Sequence, residues 1–199
     1  MKIGVFGGTF DPPHIGHLIL AQDAQAQLNL DHVLWVLTPF PPHKKNQKIT
    51  TIQDRITMII LAVAGNRNFS LSRVEIDRKP PHFAVDTVAL LKGKSPEDKF
   101  FYLMGADSLN DLPTWHNPTH FVEICHGIGI MMRRGESVRP EELDACIPGL
   151  NNKLHFLETP LIEISGTEIR NRIENGKKFR YFVPDKIYHY ILSHKLYHN

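Results

Sequence analysis

Two histidines three residues apart, His14 and His17, stand in the stretch GGTFDPPHIGHL at residues 7–18, with Gly16 between them. On the first turn of a helix that spacing projects both imidazoles from one side. A helix N-terminus adds partial positive charge and unpaired amide donors, so the set suits a phosphate. Gly7 and Gly8 let the backbone bend and approach a ligand with no Cβ in the way, and Thr9 offers a hydroxyl and an amide to an anion. Pro12 and Pro13 stiffen the entry to the helix. The stretch is neither a GxGxxG fingerprint nor a P-loop with its Lys-Ser/Thr, which withdraws support from hydride transfer and kinase-type phosphate cradling. Plainer readings stand beside the phosphate one. The glycines and prolines also make a tight turn, the histidines also serve as caps, and a zinc pair lacks further Cys or carboxylate ligands nearby.

The elements that must position these residues alternate along the chain. MKIGVF reads as a first strand (about Lys2 to Phe6), followed by a helix from Ile15 to about Leu28 and a strand HVLWVLT stopped by Pro39. After the loop PFPPHKKNQK, Thr51 caps a helix that ends at Gly65, with Asp54 in its first turn. FSLSRVEI is a third strand, AVDTVALLKG a helix ended by Gly93, and KFFYLMGAD a fourth strand. A short helical region, LPTWHNPTHFVEI, leads to a fifth strand, GIGIMMRR; Arg134 to about Leu150 then reads as a polar excursion or flexible segment. LHFLET forms a last strand, followed by the helix ISGTEIRNRIENG closed by Gly176 and a final helix, VPDKIYHYILSH, begun at Pro184. This alternation predicts an α/β fold, a doubly wound parallel sheet with helices on both faces. In such a sheet the ligand crevice lies beyond the carboxyl ends of the strands, beside the turn after the first strand.

The chain's 199 residues suit one domain with a sizeable core. A net charge of +2 is no nucleic-acid footprint, although PPHKK and MMRRG are local cationic spots. The longest apolar stretch, ITMIILAVAG, is too short to cross a bilayer, so no membrane partner is expected. The sequence enters its first strand directly, without a signal or transit pattern, so a cytoplasmic location is expected. Cys125 and Cys146 sit in no CxxC and are expected to be reduced thiols without metal. Oligomeric state is left open, a homo-oligomer included.

His14-Ile15-Gly16-His17 is a form of the (H/T)xGH motif of the nucleotidyltransferase superfamily related to class I aminoacyl-tRNA synthetases. The second signature of that superfamily, commonly ISSTxIR, appears as ISGTEIR at 164–170. Within the superfamily the chain resembles the bacterial nicotinate-nucleotide adenylyltransferases. The resemblance runs over essentially the whole length, through PPHKK, KPPHFAVDTV, GADSL, TWH, RRG and FRYFVPDKIYHYI. It implies a Rossmann-like nucleotidyltransferase domain over residues 1–199, its helical part from about 165 carrying ISGTEIR. It also implies adenylyl transfer from ATP to nicotinate mononucleotide, releasing pyrophosphate on the way to NAD. Mg²⁺ would be held mainly by ATP phosphates and water, with no metal site in the protein.

The same resemblance gives His14, His17 and Arg170 catalytic contacts with the phosphates. ATP would meet Gly7, Gly8, Thr9, Phe10 and His17 in the opening motif, Gly105 and Asp107 past the fourth strand, and Ile164, Ser165, Thr167 and Arg170 in the second signature. Nicotinate mononucleotide would meet His43 and Lys44, then Phe83, Ala84, Val85 and Thr87, then Trp115, His116 and Arg134. For Asp107 a helix cap remains an alternative, for Lys44 a solvated loop, for Trp115 packing, and for Arg170 an exposed helical charge. Two departures stand out: Gly166 replaces the second Ser of ISSTxIR, and WHNP lacks a second Trp. The rivals are a nucleotidyltransferase acting on phosphopantetheine or glycerol phosphate, a nucleotide sensor or RNA-binding module that has lost catalysis, and a histidine-based metal protein.

Overall fold

Along Lys2–Gly8 (β1) successive side chains face opposite ways: Ile3 and Val5 enter one core, Phe6 the other. A strand apolar on both faces must be covered twice, and it is. In the computed structural model, which describes residues 1–40, 49–132, 135–160 and 162–198, β1 lies mid-sheet. Its companions are β2 (His32–Leu37), β3 (Phe69–Ser72), β4 (Lys99–Gly105), β5 (Gly127–Met131) and β6 (Leu154–Leu157). All neighbours pair parallel in the order β3-β2-β1-β4-β5-β6, so the winding reverses between β1 and β4. That is the topological switch point, and the crevice opens where these two strands end.

One face of the sheet is covered by α1 (Ile15–Gln27) and α2 (Ile52–Val63), which bury Ala21, Ala24, Ile56 and Ile59 against Phe6, Trp35 and Leu103. The other is covered by α3 (Ala84–Lys94) and α5 (Pro118–Ile124), with Val88, Leu91 and Phe121 against Val5, Met104 and Ile130. Each buried Val, Leu, Ile, Phe or Met among them contributes about 1.5–3 kcal/mol by leaving water. A short α4 (Ala106–Asn110) follows β4 directly. The last helices, α7 (Gly166–Glu174) and α8 (Asp185–Ser193), pack on the outer side of α2 through Met58, Ile169, Ile173, Ile187 and Ile191. They form a third layer against α2.

Three sequence expectations are corrected. The third strand stops at Ser72: Arg73–Asp77 forms a turn closed by the Asp77 amide on the Arg73 carbonyl (2.9 Å) and by an Arg73–Asp77 ion pair (2.7 Å). Gly93 does not end α3, which runs on to Lys94, because lysines in its last turn favour the negative helix end. The polar segment after Arg134 is no bare excursion: it contains α6 (Pro140–Cys146), pinned by the fully buried Ile147 and Leu150. Trp35 is fully buried in the core, Cys125 is a buried free thiol and Cys146 an exposed one.

Candidate active site

β1 delivers its loop to the switch point, and the loop turns on Phe10, whose backbone is left-handed (φ +49°) and whose ring is buried. That ring packs on Phe6 (5.6 Å between centroids) and Trp35 (5.0 Å), and His17 seats edge-on against it (5.1 Å). Phe10 therefore has only its backbone to offer a ligand. The space a side chain at Gly8 would take is filled by this ring, and the space at Gly7 by the Tyr102 hydroxyl. Neither position has room for a side chain, and the Gly7 backbone borders a cavity.

His14 stands just before α1 and His17 in its first turn. Their rings stack at 3.6 Å, and the His14 amide donates to His17 Nδ1 (3.2 Å). Because Nδ1 accepts in that bond, the ring proton sits on Nε2, and His17 presents a donor at its far end. A Cβ on Gly16 would crowd the His14 imidazole at 3.1 Å, so glycine there lets the ring lie back over the helix.

From the opposite side comes α7. Ser165 caps it, its Oγ accepting the Glu168 amide (3.1 Å). Arg170 in its second turn donates to the Asp11 carbonyl (2.7 Å) and to Thr167 Oγ1 (3.2 Å). A Cβ on Gly166 would stand 2.9 Å from the Asp11 carbonyl oxygen, so glycine here lets the two loops touch. The family's Ser could not occupy this backbone position without displacing one of them.

These pieces enclose a cavity of about 290 Å³ lined by the loop from Thr9 to Pro12, by His14, His17 and Asp107, and by Ser165, Gly166, Thr167 and Arg170. The first turns of α1 and α7 both border it. A second cavity of about 180 Å³ shares His14, His17 and Asp107 and continues past Gly7, Gly105, Met131 and Ile164. The first is rich in donors and suits phosphates; the second is lined more by apolar groups and suits a nucleoside. Asp107 lies in the first turn of α4, and its carboxylate occupies the space above Gly105, which itself caps the helix. The cap alternative for Asp107 thereby falls away.

On the far side of Tyr102, α3 begins just after Phe83, whose side chain makes no capping hydrogen bond, so the first-turn amides, those of Ala84 and Val85 included, have no partner within the helix. The Phe83 ring stacks on His116 at 4.2 Å. Half-buried Trp115 packs on Phe121 (5.5 Å) and Tyr102 (6.1 Å). Thr87 does not face a ligand: it is buried, and its hydroxyl lies 2.6 Å from Glu75 Oε1 and accepts from Arg78 Nη2 (3.0 Å). Burial, the dominant influence, pushes the Glu75 carboxyl up despite Thr87, Thr38 and Arg78. His43, Lys44 and Arg134 lie outside the described residues.

Two arginines escaped the sequence reading. Buried Arg55 donates to the carbonyls of Thr9, Thr38, Pro39 and Thr50 at 2.8–3.2 Å, tying together the loops after β1 and β2. Its only sequence signal is a charge at the head of the apolar run ITMIILAV. Arg78 braces the start of α3 through the carbonyls of Pro81 and Phe83. Among the described residues no three His, Cys, Asp or Glu side chains gather as a metal site, and no helix is long and apolar enough to cross a membrane.

A parallel sheet whose switch point gathers two helix N-termini, paired histidines and an arginine defines a nucleotidyltransferase. A family model described as cytidylyltransferase-like matches residues 5–172. A probable nicotinate-nucleotide adenylyltransferase from Thermomicrobium roseum is 39% identical over 98% of this chain and 91% of its own. The nicotinate-nucleotide adenylyltransferase of Bacillus subtilis is 38% identical over 98% of both. Among solved structures, the Plasmodium falciparum nicotinic acid mononucleotide adenylyltransferase complexed with NaAD superposes with a TM-score of 0.80 over 98% of this chain and 97% of that one, at 19% identity. By these relatives the chain belongs to the nicotinate-nucleotide adenylyltransferases, a family of the cytidylyltransferase-like group.

Proposed function

We infer that this protein transfers the adenylyl group of ATP to nicotinate mononucleotide, giving nicotinate adenine dinucleotide and pyrophosphate for NAD synthesis. The observation that carries the chemistry is the convergence of two helix N-termini with His14, His17 and Arg170 on one phosphate-sized cavity. The phosphate oxygen of the acceptor attacks the α-phosphorus, the bond to the bridging oxygen breaks, and pyrophosphate leaves. The attacking monoester is already anionic at neutral pH, so no strong base is needed; the work is alignment and neutralisation of charge.

His17, donating from Nε2, meets the α-phosphoryl oxygens, with His14 beside it. Arg170 and the first turn of α7, including Ser165 and Thr167, face the β and γ phosphates. Thr9 and the Gly8 and Phe10 backbone border the same phosphates. Asp107 accepts from a ribose hydroxyl, with Gly7, Gly105 and Ile164 against the nucleoside. Mg²⁺ arriving on the ATP phosphates would neutralise part of their charge, which fits a cavity whose carboxylate side chains, among the described residues, are Asp11 and Asp107. The acceptor's carboxylate takes the free amides at the start of α3, with Trp115 and the Phe83–His116 pair as walls. His43, Lys44 and Arg134 remain proposed contacts for its phosphate, in a single nucleotidyltransferase domain working in the cytoplasm.

Incubation with ATP, Mg²⁺ and nicotinate mononucleotide is expected to release pyrophosphate and a product with the mass of nicotinate adenine dinucleotide. ATP consumption without that product would refute the assignment.

A further inference from the structure

The loop between β1 and α1 is held from outside by the segment that follows α8. Left-handed residues Lys195 (φ +50°) and Tyr197 (φ +65°) turn the chain back, and the Leu196 amide closes the turn on the Ile191 carbonyl (3.0 Å). This brings the Tyr197 hydroxyl to Asp11, where it donates to Oδ1 at 2.7 Å. Asp11 is buried; its Oδ2 accepts the Thr50 amide (3.2 Å) and its carbonyl accepts Arg170 (2.7 Å). Three segments remote in sequence thus converge on one residue, which follows left-handed Phe10 and precedes His14 by three positions. Burial, then the charge of Asp11, pushes the Tyr197 phenol far up, so it remains a proton donor at neutral pH.

We propose that Tyr197 is a positioning residue for the adenylyl transfer: by fixing the Asp11 carboxylate it sets where the Thr9–Pro12 loop and His14 stand against the phosphates. The proposal rests on the activity inferred above. Tyr197 itself touches no reacting atom. It acts because the Asp11 carbonyl is also the anchor of Arg170, so a shift of Asp11 moves both sides of the phosphate cavity together. A loop displaced by a fraction of an ångström still binds substrates, since most contacts persist, but loses alignment in the transition state.

The test is Tyr197→Phe, which keeps the ring and removes one oxygen, assayed well below the variant's melting temperature beside the wild type. The expected result is a kcat lowered about 5- to 50-fold with both KM values within about twofold, as loss of alignment without loss of binding requires. In an Asp11→Ala background, which leaves the phenol no carboxylate to donate to, the same change should cost less than about twofold, because both act through one bond. An unchanged kcat in the folded variant, a rise in KM alone, or full additivity of the two changes would overturn the proposal. Hydrogen exchange over residues 9–14 reads the positioning apart from the reaction. Faster exchange there in Tyr197→Phe supports the proposal, and unchanged exchange refutes it whatever the acceptor proves to be.

Discussion

His17 is fixed by contacts on several sides: its ring stacks on His14, seats edge-on against Phe6, Phe10 and Trp35, and accepts the His14 amide. Few orientations of Nε2 survive such packing. A donor held in place before the charge develops is the kind that lowers a barrier. His17→Ala is therefore expected to lower kcat about 10²- to 10³-fold, the scale of one lost transition-state donor, while circular dichroism stays that of the folded protein. Normal turnover in that variant would remove His17 from the mechanism. At this scale the sequence carried the residues whose neighbours are local. His14, Gly16 and His17 form one contiguous motif, and Ser165, Thr167 and Arg170 another. Arg55 and Arg78 were invisible because they act on backbone carbonyls, which any residue supplies and no motif records. Gly7 and Gly8 were read for backbone freedom; that Tyr102 and Phe10 fill the space a side chain would take was not legible, because it is set by the tertiary structure.

Among the elements, α2 links the sheet to the third layer, and its first turn carries the Arg55 hub. Burial pulls the Arg55 guanidinium down and Asp11 and Tyr197 push it back up. Arg55→Leu strands the carbonyls of Thr9, Thr38 and Pro39 and should lower unfolding stability by about 2–4 kcal/mol, measured by denaturant titration, given about 1–3 kcal/mol per buried group left unpaired. A loss below about 0.5 kcal/mol, the range of an ordinary surface change, would show that water replaces the arginine. Strands and helices were legible where punctuation was chemical: Pro39, Thr51, Ser165 and Gly176 bound their elements as read. The stretch RVEI misled because its alternating apolar residues imitate a strand, although Val74 and Glu75 are buried by a turn. Helix α6 was missed because none of its own residues is buried; Ile147 and Leu150, just beyond it, anchor it.

For the molecule as a whole, acidity is a handle on stability. Burial holds His32, His82 and His126 below the ordinary imidazole value of 6.5. The folded chain prefers these rings neutral, so as pH falls through 6.5 the unfolded chain takes up protons that the folded chain does not. Their contribution is thus favourable above 6.5 and is lost on acidification, down to each ring's own lowered value. Among the described residues neither ring nitrogen of buried His82 has a hydrogen-bond partner, and the ring stacks on Phe40 (6.2 Å), so His82→Phe suits the site. That variant should melt above the wild type below pH 6.5, with the difference shrinking at higher pH. A pH-independent difference would mean that the ring does not titrate as described. The doubly wound sheet itself was readable from alternation alone, whereas the stacking of α7 and α8 on α2 was not, because an amphipathic helix does not name its partner.

The central claim is transfer to an acceptor recognised by its carboxylate at the start of α3. The direct measurement is kcat/KM for pyrophosphate release from ATP and Mg²⁺ with nicotinate mononucleotide and nicotinamide mononucleotide offered separately, and phosphopantetheine as control. Amides that donate to a carboxylate meet the nicotinamide NH₂ donor to donor, a mismatch of about 1–3 kcal/mol, so nicotinate mononucleotide should be preferred by roughly 10- to 100-fold. Equal efficiencies with the two mononucleotides, or release only with phosphopantetheine, would contradict the account.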